Sequence, residues 1–388
     1  MSSPLTFQLL ATDGAARAGL LQTRRGPVET PVFMPVATHA GFRLHTVDEA
    51  ESVGAKLILS NAYHLMLRPG REVFEKLGGI HRFMSWNGSV LTDSGGYQIF
   101  SLPNDRQISE KGAVFTNPHD HHRHLLSPET SIAMQQAIGS EIMMVLDVCI
   151  NATSTEGPTR LAMEQTHRWA LRSLAAHQLR ETGQALFAIV QGGSFEPLRT
   201  ESAQSLTAHP FDGFAIGGLA VGEAREVRDA ITGHTARLLP EGRPRYLMGV
   251  GTPIDLLESV RLGIDMFDCV IPTKMAQQGF AYTFAGKLRL SRREYRLSDQ
   301  PLDAECDCST CVRFSRGYIQ HQISGRHHLG VKLIGIHNLR HYQVLMGRLR
   351  QAILDGRFEA EYQQLKPALS GVRRELRGRG NSKSTPRP

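Results

Sequence analysis

Between residues 31 and 272 the chain alternates short apolar runs with longer amphipathic stretches, and this alternation narrows the possible folds more than any other feature. The runs are PVFMPV (31–36), KLILS (56–60), SVLTD (89–93), IMMVLD (142–147), LFAIVQ (186–191), GFAIGG (213–218), RYLMGV (245–250) and MFDCVIP (266–272). Helical patterns fill most of the gaps, at 46–54, 71–79, 127–139, 159–179, 196–206, 224–239 and 252–263. Strands buried on both faces read as unbroken apolar runs, and the helices between them supply the crossovers of a parallel sheet. Eight such units in about 240 residues predict an α/β chain closed into a (β/α)8 TIM barrel. Several runs end in a polar group or a glycine turn: Asn61, Asp93, Asp147, Gln191, Gly217-Gly218, Gly249 and Asp268. In such a barrel the C-terminal strand ends build the active site, so three carboxylates and two amides are expected at one mouth.

Other classes are disfavoured. The longest aliphatic run, residues 142–146, is far short of the roughly 20 residues a membrane span needs, and the first residues lack the pattern of a signal peptide, so a cytoplasmic protein is expected. The net charge of +7 suggests a polyanionic partner. Most of it, however, sits in residues 371–388, where Arg373, Arg374, Arg377, Arg379, Lys383 and Arg387 face only Glu375. That segment is expected to be a disordered basic tail.

Five cysteines, three of them in ECDCSTC (305–311), argue for metal-bound thiolates in a reducing compartment and against a disulfide framework. Cys306, Cys308 and Cys311 need a fourth ligand, and His321, His327, His328, His337 and His341 follow. Residues 315–324 and 337–358 read as helices, so a histidine opening the second helix could clamp the cysteine loop to it, which His337 fits best. A tetrahedral site with four protein ligands is structural, because it leaves no place for substrate. Cys149 and Cys269, in apolar runs, read as small buried side chains. His119, His121, His122 and His124 resemble a metal cluster, but Asn117-Pro118 gives turn chemistry, and an inserted β-hairpin is expected there instead.

Two stretches carry chemistry. LTDSGGYQIF (91–100) offers a carboxylate at a strand end, then glycines that let backbone approach a flat ligand, then Tyr97 as a stacking face. MFDCVIPTKMAQQG (266–279) places Asp268 at another strand end. Two carboxylates in one cleft suit displacement at an anomeric carbon, one as nucleophile and one as acid/base.

With these residues in view, the chain resembles the bacterial-type tRNA-guanine transglycosylases, or queuine tRNA-ribosyltransferases. The matching stretches are SNAYHLMLRPG (60–70), LTDSGGYQIFSL (91–102), HLLSPE (124–129), VQGG (190–193), FAIGGLAVGE (214–223), PRYLMGVGTP (244–253), MFDCVIPT (266–273), PLDAECDCSTC (301–311) and HNL (337–339), in order over residues 6 to 365. The resemblance implies a barrel at 31–285, preceded by a β segment (1–30) and followed by a zinc-binding helical subdomain with a closing helix (286–370). It implies that Asp268 attacks C1′ of the wobble-position ribose in tRNA, expelling guanine, and that Asp93 is the general acid/base. It further implies that Asp147, Gln191, Gly218 and the Leu219 carbonyl read the base edge, that Tyr97 and Met248 sandwich the purine, and that Cys306, Cys308, Cys311 and His337 hold a structural Zn2+. A homodimer is implied too, with Tyr318 and His321 at its interface, as is a 7-deazaguanine as the incoming base: 7-aminomethyl-7-deazaguanine, with queuine the alternative.

Two departures from the family pattern stand out. Asp147-Val148-Cys149 replaces the usual Asp-Glu-Cys, which is expected to alter charge beside the base and so the choice of base. Lys274 and Gln277-Gln278-Gly279 replace an Arg and an Arg-Asn-Gly turn, which is expected to alter contacts with tRNA. A noncatalytic tRNA-binding subunit is the competing class, and the presence of Asp93, Asp147 and Asp268 counts against it.

Overall fold

The structure, a computed structural model, describes residues 5–102, 106–118 and 121–371. His119 and most of the basic tail therefore lie outside the described residues.

Three antiparallel strands come first: β1 (Thr6–Asp13), β2 (Ala16–Thr23) and β3 (Gly26–Thr30). All eight apolar runs then contribute strands to one parallel sheet: β4 (Val32–Pro35), β5 (Leu57–Asn61), β6 (Ser89–Asp93), β10 (Ile142–Met144), β11 (Ala185–Val190), β12 (Gly213–Ile216), β13 (Arg245–Leu247) and β14 (Met266–Cys269). From β5 to β14 each pairs with its neighbour in sequence, and β4 pairs with β14. A bridge from Val36 to Leu59, with Ala37 N–H donating to the Leu59 carbonyl at 2.7 Å, closes the ring. The predicted (β/α)8 barrel is thus observed. Several strands are shorter than their apolar runs, because the C-terminal residues leave the ladder to form the mouth. In the last run, Ile271–Gln277 turns directly into a helix.

Between β6 and β10 lies the three-stranded insertion β7 (Arg106–Ser109), β8 (Gly112–Thr116) and β9 (Arg123–Leu126). The expected hairpin is its β8 and β9 pair. The N-terminal sheet covers the opposite end of the barrel, where the strands begin. There the buried Arg17 guanidinium donates to Asp265 at 3.1 Å, and Thr23 bonds Ser89 at 2.7 Å.

Beyond the barrel, β15 (Phe280–Thr283) and β16 (Gly286–Arg289) form a hairpin whose turn spans residue 285. Short helices follow at Ser309–Arg313 and Arg316–Ser324, then a long one at His328–Leu354 and a last one at Phe358–Leu369. The long helix starts nine residues earlier than expected, so His337 sits inside it and not at its start. It packs along the barrel. Tyr342 donates to the Gly251 carbonyl at 2.6 Å, Gln343 to that of Phe33 at 3.1 Å, and Arg350 to those of Gly19 and Thr30 at 2.6 and 2.7 Å.

Candidate active site and metal centre

The strand ends enclose a cleft of about 360 Å³ whose lining includes Asn61, Asp93, Tyr97, Asp147, Gly218, Leu219, Met248 and Asp268. Three carboxylates therefore share one cavity, as the strand-end pattern predicts.

Asp268 ends β14 and is fixed through one oxygen. Its Oδ1 accepts from the Tyr246 hydroxyl at 2.6 Å and from Gly249 N–H at 2.8 Å. Among the described residues nothing bonds Oδ2, which leaves a carboxylate oxygen uncommitted. Burial pushes the Asp268 carboxyl up, while these two donors hold it down. Burial also raises the Tyr246 hydroxyl well above its ordinary range, as does the Asp268 charge, so the tyrosine stays a donor.

Asp93 ends β6, with Ser94 N–H donating to Oδ1 at 2.9 Å and Asn61 Nδ2 to Oδ2 at 3.3 Å. Burial, followed by the charges of Asp147 and Asp268, pushes its carboxyl up to about 7. A group poised near neutrality can both give and take a proton.

Asp147 follows β10. Gln191 Nε2 donates to its Oδ2 at 2.7 Å, and the Cys149 thiol donates to the same oxygen at 3.3 Å. Burial raises Asp147, and those two donors oppose the rise. Gly96 is required here, because a Cβ on it would lie 2.0 Å from Asp147 Oδ1. Gly218, at φ +67°, is required for the same reason, since its Cβ would lie 2.2 Å from Gln191 Oε1. Gln191 thus stands behind Gly218 and holds Asp147; it does not itself line the cleft. Glu223 accepts from Ala220 N–H and, at 3.1 Å, from Val221 N–H, fixing the loop that carries the Leu219 carbonyl. Tyr97 is half exposed and Met248 partly buried, both on the cleft wall.

Val148 is placed differently from the expectation. It is buried among Tyr63, Ile99, Phe115, Leu146 and Trp169 and does not line the cleft. The insertion and the helix Glu156–Gln178 build that apolar cluster, so a valine there fits its surroundings. Tyr246, Gln98 and His64 line the cleft but were not singled out by sequence, and Cys149, expected as a small buried side chain, is only partly buried and lines the cleft too, because its thiol turns to Asp147. For Tyr246 a signal existed: a tyrosine in a buried parallel strand needs a partner for its hydroxyl.

Away from the cleft, ligand atoms of Cys306, Cys308, Cys311 and His337 lie within 4.8 Å of one another, and among the described residues no other such group occurs. His337 Nδ1 is 3.2 Å from Cys311 Sγ and 3.9 Å from Cys308 Sγ. Its Nε2 lies 2.6 Å from the Tyr282 carbonyl, which fixes Nε2 as the protonated nitrogen and turns Nδ1 toward the sulfurs. Hydrogen bonds from Cys306 and Cys311 draw the Cys308 thiol well below its ordinary value, and hydrogen bonds with Cys306 and Cys308 push Cys311 up. Three sulfurs and one imidazole nitrogen fit a tetrahedral divalent metal with no place left for substrate.

A closed parallel barrel with three carboxylates at its mouth and a Cys3His cluster beside it defines an α/β-barrel enzyme with a metal-binding appendage. The family model described as queuine tRNA-ribosyltransferase matches residues 13–369. The queuine tRNA-ribosyltransferase of Thioalkalivibrio sulfidiphilus is 49% identical over 356 residues, 92% of this chain and 95% of the relative. That of Solidesulfovibrio magneticus is 48% identical over 360 residues, 93% and 96% of the two chains. The chain belongs to the queuine tRNA-ribosyltransferase family.

Proposed function

We propose that this enzyme exchanges guanine at the wobble position of tRNA for a 7-deazaguanine, in queuosine synthesis. Asp268 attacks C1′ of the ribose, the C1′–N9 bond breaks, and guanine departs with a proton supplied by Asp93. The incoming base gives its N9 proton to Asp93 and displaces Asp268 from C1′, so two inversions retain configuration. The observation that carries this reading is the pairing of Asp268, held by one oxygen with the other free, with Asp93 poised near neutrality in the same cleft.

In this reading Asp147, steadied by Gln191, and the backbone at Gly218 and Leu219 read the base edge, with Tyr97 and Met248 on its two faces. The smaller aminomethyl base is favoured over queuine. The loop Gly217–Glu223 keeps the bacterial pattern, and Val148, outside the cleft lining, takes no charge away from it. Zinc is the metal the Cys3His set suits, and its work is to hold the subdomain. A second copy of the chain is the expected partner, supported by exposed Val312 two residues from Phe314, whose ring stacks on Tyr318, and by exposed Leu297, which shares a cleft with His321. The setting is cytoplasmic, where tRNA is met.

The test is covalent trapping. Wild-type protein mixed with tRNA and a competing base analogue should give an adduct that survives a denaturing gel, and Asp268→Asn should give none. An undiminished adduct in the variant would remove Asp268 as nucleophile. Competition of radiolabelled guanine by the aminomethyl base and by queuine then decides which is preferred.

A further inference from the structure

Behind the cleft lies a polar network that the chemistry above does not use. Gln135, on the helix Pro128–Ile138, is fully buried, and its amide sits between the C-terminal ends of β6 and β10. These strands pair at Leu91 with Ile142 and at Thr92 with Met143. At Met144 their ladder stops, and the Gln135 side chain takes the place of the missing strand. Its Oε1 accepts from Met144 N–H at 2.9 Å, and its Nε2 donates to the Met144 carbonyl at 2.9 Å. Thr92 Oγ1 donates to Oε1 at 3.0 Å, and Nε2 donates to Ser131 Oγ at 3.1 Å. All four hydrogen-bonding positions of the amide are therefore filled. Ser131 passes the connection on, donating to the Ser94 carbonyl at 2.9 Å, and Ser94 N–H bonds Asp93.

The two strands parted by this amide are those that end in Asp93 and lead to Asp147. We infer that Gln135 is a positioning residue, whose amide wedged between β6 and β10 sets the separation of Asp93 from Asp147 and so the width of the slot that receives the base. The inference rests on the assignment of Asp147 to base binding. Neither near-isostere reproduces the wedge: a methionine has the length but no donor and only a weak sulfur acceptor, and a carboxylate has no hydrogens to give Met144 and Ser131.

The test uses the whole protein and radiolabelled guanine. Equilibrium dialysis gives guanine affinity, and exchange into tRNA gives KM for guanine, KM for tRNA and kcat. Gln135→Met is expected to weaken guanine binding and raise its KM by roughly 10- to 100-fold, the cost of an ångström-scale misplacement. The KM for tRNA and the metal content should stay at wild-type values. Asp147→Asn, measured alongside, separates the two claims. If it leaves guanine affinity unchanged, the base-binding role of Asp147 fails. If it weakens guanine while Gln135→Met does not, Gln135 is only packing and the inference is overturned. Equal rises in both KM values, or a fall in melting temperature alone, would also overturn it. Should Gln135→Met not fold, Thr92→Val removes one of the four contacts together with the Thr92 bond to Ser140, and Ser140→Ala, which removes only the latter, is the control. A guanine affinity a few-fold weaker would support the wedge, and a wild-type value would reject it.

Discussion

Replacing Asp93 by Asn should abolish exchange yet make the protein more stable at neutral pH. The carboxyl is pushed from 3.8 to about 7, first by burial and then by Asp147 and Asp268. At about 1.4 kcal/mol per pH unit that difference corresponds to roughly 4 kcal/mol. Because the folded protein holds the proton more tightly than the unfolded chain, this contribution is complete below about pH 4 and is lost as the pH rises to about 7. Asparagine cannot ionise, so the variant escapes the loss. Urea denaturation of wild type and variant at steps from pH 4 to pH 8 is the assay. The stability difference should swing toward the variant by about 2 to 4 kcal/mol across that range, the lower figure allowing for coupling among the three carboxylates. A difference that does not change with pH would show that Asp93 titrates as an ordinary carboxylate and would remove the basis for its acid/base role.

Three further outcomes are expected. Arg17→Ala leaves the buried Asp265 without its guanidinium partner, held only by the Arg245 N–H, and should cost about 3 to 5 kcal/mol, and a loss below about 1 kcal/mol in urea denaturation would show that the N-terminal sheet does not depend on this pair. Gly96→Ala puts a methyl group against Asp147 Oδ1 and should raise the KM for guanine with the far-ultraviolet circular dichroism unchanged; a wild-type KM would mean that Asp147 need not sit where it does. Cys308→Ala should release the metal and lower the melting temperature, and unchanged metal by elemental analysis would refute the Cys3His site.

The barrel was legible because each of its strands is buried on both faces, so the hydrophobic pattern and the fold carry the same information. Asp93, Asp147 and Asp268 were legible because polar groups at strand ends have only one place to go in such a barrel. What stayed hidden was side-chain direction. Val148 is next to Asp147 in sequence but turns into the cluster around Trp169, a choice made by the insertion and its neighbouring helix. Gln191 reads as a cleft residue and lies behind Gly218, because only a missing Cβ lets it reach Asp147 there. Gln135 sits in an ordinary amphipathic pattern, and nothing local marks it as the amide that parts two strands. The long helix could be read from residue 337 onward, but its first turns, His328 to Ile336, are sealed by contact with the metal-site loop, as where Thr310 donates to the Leu333 carbonyl at 2.8 Å.

The sheet at the barrel's floor bears on how the chain is made. Gly19 and Thr30 wait for Arg350, and Asp13 waits for the Phe358 N–H, which bonds it at 2.7 Å. β4 gains its ladder partner only when β14 is made. At about 5 to 20 residues per second, the first strands leave the ribosome some tens of seconds before these partners exist. During that interval β4 has an unpaired edge, and the floor lacks Asp265, the counter-ion of Arg17. Nascent chains stalled before residue 265 should therefore be sensitive to protease and bound by chaperones. Chains stalled well after residue 358 should be resistant, with the transition set by the arrival of the long helix.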